Sequence, residues 1–217
     1  MPENKLIIIP DKKRERCVTG IGGLDTILNG GIPRGNSVLI TGSCGTGKTT
    51  LSLEFLVHGA IEDENCLFIS VTESSKKMLN NIVPYDFFDE SLIEKGRLNF
   101  IDMPDIYDDL GLLEKSEFSF KEINSLVDRI EEEVVKNDIK RLVIDSITSV
   151  CFQLKTEEKI RDFILQLMKM LSSHGCTSLL VSEISPEEPR YSLYGVEEAI
   201  ADGIVLMGNL ERHGDLL

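Results

Sequence analysis

Short apolar runs alternate along the chain with longer segments of helical periodicity. The runs are rich in Val, Ile, Leu and Phe and end at a glycine or a polar residue, which is typical of buried strands. The predicted strands cover residues 37–41, 66–71, 98–102, 141–145, 177–183 and 203–208.

Two of the longer segments repeat apolar residues every three or four positions, the spacing of an amphipathic helix. One covers residues 119–136 and has an acidic outer side, and the other is centred on residues 160–171. Residues 48–60 are apolar almost all round, as expected of a helix buried within a domain. Strands that alternate with helices predict an α/β fold, with a mostly parallel central sheet flanked by helices on both faces.

The length of 217 residues suits one compact domain, and no low-complexity linker divides the chain. We expect an N-terminal arm over residues 1–16 and a single domain over residues 17–217. No apolar run approaches the roughly 20 residues that a membrane helix needs, so we expect no membrane contact. The five cysteines are scattered without a C-x-x-C pair, which favours a reducing, cytoplasmic compartment.

The formal net charge of −14 argues against a nucleic-acid partner, because such proteins gain affinity by neutralising phosphates with Lys and Arg. The basic run at residues 11–16 contains two acids of its own, and we interpret it as a solvated segment. Residues 102–137 hold eleven acids and four bases. These acids are expected on the solvent side of helices.

The stretch TGSCGTGKTT, residues 41–50, satisfies the phosphate-loop pattern G-x-x-x-x-G-K-[ST] between a predicted strand and a predicted helix. Glycines let backbone N–H groups turn towards phosphates, and the helix N-terminus adds a positive dipole end. Lys48 is expected to reach the β- and γ-phosphates, and the Thr49 hydroxyl to ligate Mg²⁺. The nucleotide-binding residues are predicted to be Gly42, Ser43, Cys44, Gly45, Thr46, Gly47, Lys48, Thr49 and Thr50.

Asp145 ends the predicted strand RLVID and is the candidate second Mg²⁺ ligand, acting through water. The alternative is a single aspartate that caps the turn after a strand. Ser146 and Thr148 follow, and we expect their hydroxyls to bond the backbone of that turn.

Hydrolysis also requires a group that orients and polarises water. Glu73 follows the predicted strand 66–71 and comes within reach of the loop if that strand lies near the strand 37–41. Glu183 ends the strand 177–183 and is a second candidate. A helix cap or a surface carboxylate is the alternative for each. Cys44 is interpreted as a small neutral loop residue rather than a redox switch.

Over residues 16–217 the sequence resembles the KaiC-type members of the RecA superfamily, in particular the single-domain archaeal type. The segment TGIGGLDTILNGGIPRGNSVLITGSCGTGKTT (19–50) resembles the opening signature of that family, and RLVIDSITSV (141–150) its Walker-B segment. The segments GCTSLLVSEI (175–184) and YGVEEAIADGIVLM (194–207) match later blocks. The resemblance implies a RecA-like P-loop fold, ATP rather than GTP, and a homo-oligomeric ring, expected to be a hexamer with nucleotide at subunit interfaces.

The sequence departs from the family pattern at three places. The pair of glutamates that often follows the second strand reads Thr72-Glu73 here. The Ser and Thr acceptors of the self-phosphorylating half of the clock protein correspond to Glu198-Ala199, which disfavours autokinase activity. Family members usually continue into a strand with a Lys-x-Arg pair, and this sequence ends at Leu217 before that strand.

Three functions are compatible with these observations. The first is a slow ATPase, with Glu73 and Lys48 as catalytic residues, that acts as a signalling or regulatory module with an unidentified partner. The second is a nucleotide-gated binding switch that hydrolyses little. The third, least favoured because of the acidic charge, is a RadA-like DNA-binding ATPase.

Overall fold

The computed structural model describes residues 15–184 and 191–209, together with the backbone of residues 211–212 and 215–216. Nearly all of the predicted arm, residues 1–16, lies outside the described residues, and so do residues 185–190. The boundary between arm and domain therefore stays a prediction.

The strands of the described chain agree closely with the predicted ones. The six predicted strands correspond to β3 to β8, and their limits differ from the predicted limits by two residues at most. In chain order the strands are β1 (Arg16–Cys17), β2 (Ile32–Pro33), β3 (Ser37–Gly42), β4 (Asn65–Ser70), β5 (Leu98–Asp102), β6 (Ile139–Asp145), β7 (Thr177–Glu183), β8 (Gly203–Met207), β9 (Glu211–Arg212) and β10 (Asp215–Leu216).

The three predicted helices are α2, α6 and α8 of the structure. Shorter helices, which the periodicity did not predict, lie in the connections. In chain order the helices are α1 (Gly22–Ile27), α2 (Lys48–Ile61), α3 (Ser75–Ile82), α4 (Ser91–Glu94), α5 (Met103–Asp109), α6 (Phe120–Lys136), α7 (Ile147–Phe152), α8 (Glu157–Ser173) and α9 (Glu197–Ile200).

Local sequence signals explain where the two long amphipathic helices begin. Ser119 accepts a hydrogen bond from the backbone N–H of Glu122, and the Glu122 carboxylate bonds back to Ser119, which forms a capping box for α6. Thr156 caps α8 through the N–H of Lys159. These bonds satisfy N–H groups that have no partner within the helix.

The central sheet has the strand order β5-β4-β6-β7-β3-β8, and every neighbouring pair is parallel. The carboxyl ends of its strands therefore meet along one edge, where ligands bind in open α/β sheets. The strand β7 lies between β3 and β6. The strands β1 and β2 form a separate antiparallel pair, as do β9 and β10.

Alternate residues of the strands bury on opposite faces of the sheet. On β3, Leu39 packs into the core under α6 and α8, whereas Val38 and Ile40 pack into the core under α2. Both faces are thus covered by helices, and the predicted α/β class is confirmed. Within the described part of the chain, no helix is both long and apolar enough to span a membrane.

Candidate functional site

The predicted phosphate loop connects β3 to α2 and passes close to the neighbouring strand β8. A Cβ atom on Gly42 would lie 2.3 Å from the carbonyl oxygen of Met207 and 2.8 Å from Thr46 Oγ1, so only glycine fits there. Gly47 has φ = 88°, a left-handed conformation that glycine adopts without strain. These two glycines allow the tight turn that leads into α2.

The N-terminus of α2 is suited to an anion. Gly47 is the N-cap and provides no side-chain hydrogen bond, so the first-turn N–H groups of α2 can serve an external acceptor. Lys48 is buried at 8% exposure, and its Nζ donates to the carbonyl oxygens of Gly42 and Ser43, both at 2.8 Å. The ammonium group therefore lies against the inner wall of the loop.

The other predicted loop residues surround this centre. Cys44, Gly45 and Gly47 are exposed, while the remaining residues of the loop and the first helical turn are at least half-buried. The hydroxyl of Thr46 donates to the carbonyl oxygen of Ser43 at 2.9 Å and so tightens the turn. Cys44 differs from the other four cysteines, all of which are buried.

The two candidate metal ligands are in direct contact. Thr49 Oγ1 donates a hydrogen bond of 2.6 Å to Asp145 Oδ2, although 96 positions separate them in the sequence. Burial raises the pKa of the Asp145 carboxyl above its usual range. The hydrogen bond from Thr49 and the charge of Lys48 oppose this rise, and the charges of Glu183 and Glu73 add to it.

These residues fit Mg²⁺ bound with a nucleotide. Mg²⁺ prefers oxygen ligands, keeps several waters, and is usually bound through one or two protein oxygens plus substrate phosphates. Thr49 and Asp145 provide such a pair at the mouth of the phosphate loop. Among the described residues, no cluster of three or more His, Cys, Asp or Glu side chains could form a complete protein cage for a metal. The donor set therefore matches a nucleotide-associated ion.

The position of Glu73 differs from the expected one. Its strand β4 does not lie near β3, because β6 and β7 come between them. It lies instead beside β6, and the N–H of Val71 donates to the carbonyl oxygen of Asp145 at 2.8 Å. The Glu73 carboxylate forms an ion pair with Lys77 at 2.8 Å. Glu73 thus approaches the site from the Asp145 side, and its catalytic role stays a prediction.

Glu183, the second candidate carboxylate, lies on the strand between the two strands that carry the site. It is the register partner of Gly42, and Val181 on the same strand pairs with Asp145. The Glu183 side chain is exposed at the carboxyl edge of the sheet.

The hydroxyl groups of Ser146 and Thr148 form hydrogen bonds other than the predicted ones. Ser146 Oγ bonds Ser149 Oγ at 2.9 Å, and Thr148 bonds residues at the end of β7 rather than the turn backbone. The partners of Thr148 are 34 and 35 positions away. Sequence spacing carries no signal for such a contact, so the sequence did not predict it.

The first residues of the opening signature, 19–25, lie away from the phosphate loop and stabilise a turn. Asp25 accepts hydrogen bonds from the backbone N–H and hydroxyl of Thr19, both at 2.8 Å, and from the N–H of Gly20 at 3.0 Å. A Cβ atom on Gly20 would lie 2.4 Å from the ring of His58 in α2. These signature residues therefore hold the chain against α2.

Comparison with known proteins places the chain in a family. The family described as "ATPase: KaiC" matches residues 17–216. The circadian clock oscillator protein KaiC of Prochlorococcus marinus (strain MIT 9313) is 34% identical over 200 residues, which are 90% of this chain and 38% of that protein. The protein of the same name from Synechococcus elongatus is 32% identical over 196 residues, 88% of this chain and 36% of that protein. The chain thus spans less than half the length of these curated relatives.

A solved structure is also similar. The crystal structure of a KaiC-like protein from the hyperthermophilic archaeon Pyrococcus horikoshii OT3 superposes with a TM-score of 0.75 and is 31% identical. The match covers 94% of this chain and 85% of that one. This similarity supports the RecA-like form of the parallel sheet. The chain belongs to the KaiC family of ATPases and has its RecA-type ATP-binding fold.

Proposed function

We propose that this chain binds ATP with Mg²⁺ between β3 and α2 and hydrolyses it slowly. The observation that carries the proposal is the 2.6 Å contact between Thr49 and Asp145 at the helix end that also bears the buried Lys48. A hydroxyl, a carboxylate and an ammonium group meet there beside unpaired helix N–H groups. This combination suits a metal-bound triphosphate.

Lys48 and the first turn of α2 would bind the β- and γ-phosphates. The Lys48 ammonium donates to two neutral carbonyl oxygens of the loop. Hydrogen bonds to charged oxygens are about twice as strong as neutral ones, so phosphate oxygens are the better acceptors. We expect Lys48 to exchange these carbonyls for the nucleotide.

Thr49 and Asp145 would hold the metal ion. Mg²⁺, when bound, neutralises negative charge on the β- and γ-phosphate oxygens. The Thr49 hydroxyl would contact the ion directly, and Asp145 would act through an ordered water. Their present contact keeps both oxygen atoms at the position where the ion is needed.

Glu73 would act on the attacking water. The water oxygen bonds the γ-phosphorus, the bond to the bridging oxygen breaks, ADP leaves, and the Glu73 carboxylate takes the proton that the water loses. Glu73 follows Ser70, the register partner of Asp145, and the N–H of Val71 donates to the carbonyl oxygen of Asp145 at 2.8 Å; this proximity supports the role.

A nucleotide-gated binding switch with little hydrolysis is the second candidate. One observation favours it: the position before Glu73 is the exposed Thr72, where family members often carry another glutamate. With a single carboxylate after β4, ATP binding can persist while turnover falls.

The assembly state is part of the proposal. Family membership supports a homo-oligomeric ring of six subunits with nucleotide at each interface and an unidentified signalling protein as partner. The scattered cysteines favour the cytoplasm as its compartment. The formal charge of −14 disfavours DNA as that partner. Stimulation of hydrolysis by single-stranded DNA would favour the recombinase-like alternative instead.

The test is ATP turnover with Mg²⁺ over a range of protein concentrations. We expect slow turnover whose rate per subunit rises with concentration, and its loss in Lys48→Ala. Lys169→Ala, which removes an exposed lysine of α8, is the matched control and should keep full activity. Tight ATP binding without turnover at any concentration would favour the switch, and absence of ATP binding would reject both candidates.

A further inference from the structure

Thr148 connects the segment after Asp145 to the end of β7. It lies in α7, and its side chain is buried at 7% exposure. Its hydroxyl lies 3.1 Å from Ser182 Oγ and accepts a hydrogen bond of 3.1 Å from the backbone N–H of Glu183. A threonine hydroxyl has one hydrogen and two acceptor lone pairs, so both contacts can exist together. The two bonds join α7 to the last two residues of β7.

The residue at the end of this connection is next to the phosphate loop. Glu183 is the register partner of Gly42, and the N–H of Ile184 approaches the carbonyl oxygen of Gly42 at 3.4 Å. On the other side, β7 pairs with β6, which carries Asp145. Glu183 therefore lies between the loop that would bind the phosphates and the carboxylate of Asp145 that would hold the metal.

The sheet places Glu183 at the site, because β7 pairs with β3 on one side and with β6 on the other. The side chain is exposed at the carboxyl edge of the sheet, so its oxygen atoms are accessible to water. A carboxylate in this place can accept a hydrogen bond from a water beside the terminal phosphate.

We propose that Thr148 is a positioning residue that holds Glu183 beside the phosphate loop, where the Glu183 carboxylate orients the attacking water. The inference rests on the proposed ATP hydrolysis and deepens it. Glu73 takes the proton of the water, and Glu183 fixes the direction of the water by a hydrogen bond. Thr148 touches neither nucleotide nor water and acts through the backbone of β7.

The first variant removes only the hydroxyl. Thr148→Val keeps nearly the same shape and leaves the Glu183 N–H and the Ser182 hydroxyl without this partner. The end of β7 can then shift, and a displacement of about 1 Å can cost about 10²-fold in rate. We expect kcat to fall about tenfold for a smaller displacement, with the KM for ATP changed less than about twofold. Thr148→Ser, which keeps the hydroxyl, should restore kcat.

A second threonine of the same strand provides the matched control. Thr177, at the opposite end of β7, is fully buried, and its hydroxyl accepts the N–H of Gly35 at 3.1 Å. Thr177→Val loses one backbone-to-hydroxyl hydrogen bond of the same kind far from the phosphate loop. It should lower the unfolding midpoint while kcat stays unchanged. Equal loss of kcat in both variants would mean that the effect is general destabilisation.

A double variant tests whether Thr148 acts through Glu183. Glu183→Gln should lower kcat, and Thr148→Val combined with Glu183→Gln should be no slower than Glu183→Gln alone. If the loss of kcat in the double variant equals the product of the two single losses, Thr148 does not act through Glu183. If the wild type hydrolyses ATP and Thr148→Val has the same kcat, the positioning role of Thr148 is wrong, whereas the proposed hydrolysis stands. Absence of wild-type turnover would remove the proposed hydrolysis, and this role with it.

Discussion

Replacement of Arg141 by Met should strongly destabilise the protein. Arg141 lies on β6 and is 1% exposed. Its guanidinium donates to the Glu64 carboxylate and to the carbonyl oxygens of Val18 at 2.8 Å and Phe55 at 2.9 Å. It also lies over the Phe55 ring, 4.9 Å from the centroid. Met fills much of the space but leaves Glu64 with Arg34 as its remaining cation.

The expected magnitude follows from these contacts. Removal of one partner of a buried ion pair costs about 3–5 kcal/mol, because the other charge stays buried. Since Arg34 still neutralises part of the Glu64 charge, we expect the lower end, about 3 kcal/mol in the free energy of unfolding. Urea unfolding followed by circular dichroism measures this loss as a lower midpoint with an unchanged slope.

The adjacent residue of the same strand is the matched control. Lys140 pairs with Asp138 at 2.6 Å, and these side chains are 40% and 75% exposed. Lys140→Met should therefore cost less than about 1 kcal/mol. If Arg141→Met costs no more than Lys140→Met, burial of the ion pair has no energetic consequence, contrary to the expectation.

Three further predictions concern the metal ligand, the opening turn and pH. Thr49→Val should weaken Mg²⁺-dependent ATP binding at least about tenfold, because it removes the hydroxyl oxygen that would ligate the ion. Titration with a fluorescent nucleotide measures this loss. Gly20→Ala should cost about 3 kcal/mol in urea unfolding, because φ is +84° and the new Cβ would overlap the His58 ring. Burial raises the pKa of the Glu64 carboxyl, but the hydrogen bonds and charges of Arg141 and Arg34 outweigh it, so the pKa in the folded state lies below its usual range. The stability that ionised Glu64 contributes is therefore full above the unfolded-state pKa and is lost as the pH falls through the folded-state pKa. Unfolding midpoints at several pH values test this.

Each of these predictions has a specific control. Thr49→Ser should bind nucleotide like the wild type, and ATP binding in EDTA should not distinguish Thr49→Val from it. Gly23→Ala should cost less than Gly20→Ala, since a Cβ on Gly23 meets no atom within 4 Å. Glu64→Gln should lose less stability than the wild type as the pH falls below the usual glutamate pKa of about 4.3, and an equal loss would contradict the assignment.

Features set by local sequence were predictable. The alternation of apolar runs with helical periodicity predicted the six strands of the central sheet and the three long helices, because each pattern reflects burial within one element. The glycines and Lys48 of the candidate loop could also be proposed from the sequence, since they lie within ten consecutive residues, and their role in binding stays a prediction. Asp145 could be proposed for a similar reason, because it is the polar residue that ends a buried strand.

The order of the strands was not predictable from these patterns. Glu73 was expected near the loop through a neighbouring strand, but β6 and β7 separate β4 from β3. Periodicity shows which residues of a strand are buried, not which strand lies beside it. The shorter helices α3 and α5 were missed as well, because a few turns contain too few apolar repeats to form a pattern.

Single continuous segments encode the class of the fold, the candidate phosphate loop and the candidate carboxylate at the end of β6, so all three could be read from the sequence. The fold alone sets how the segments meet. It brought Thr49 to Asp145, Arg141 to Glu64 and Thr148 to the end of β7, across 96, 77 and about 35 positions of chain. Such contacts depend on strand order and on the packing of α2 and α7 against the sheet, and no spacing along the chain records them.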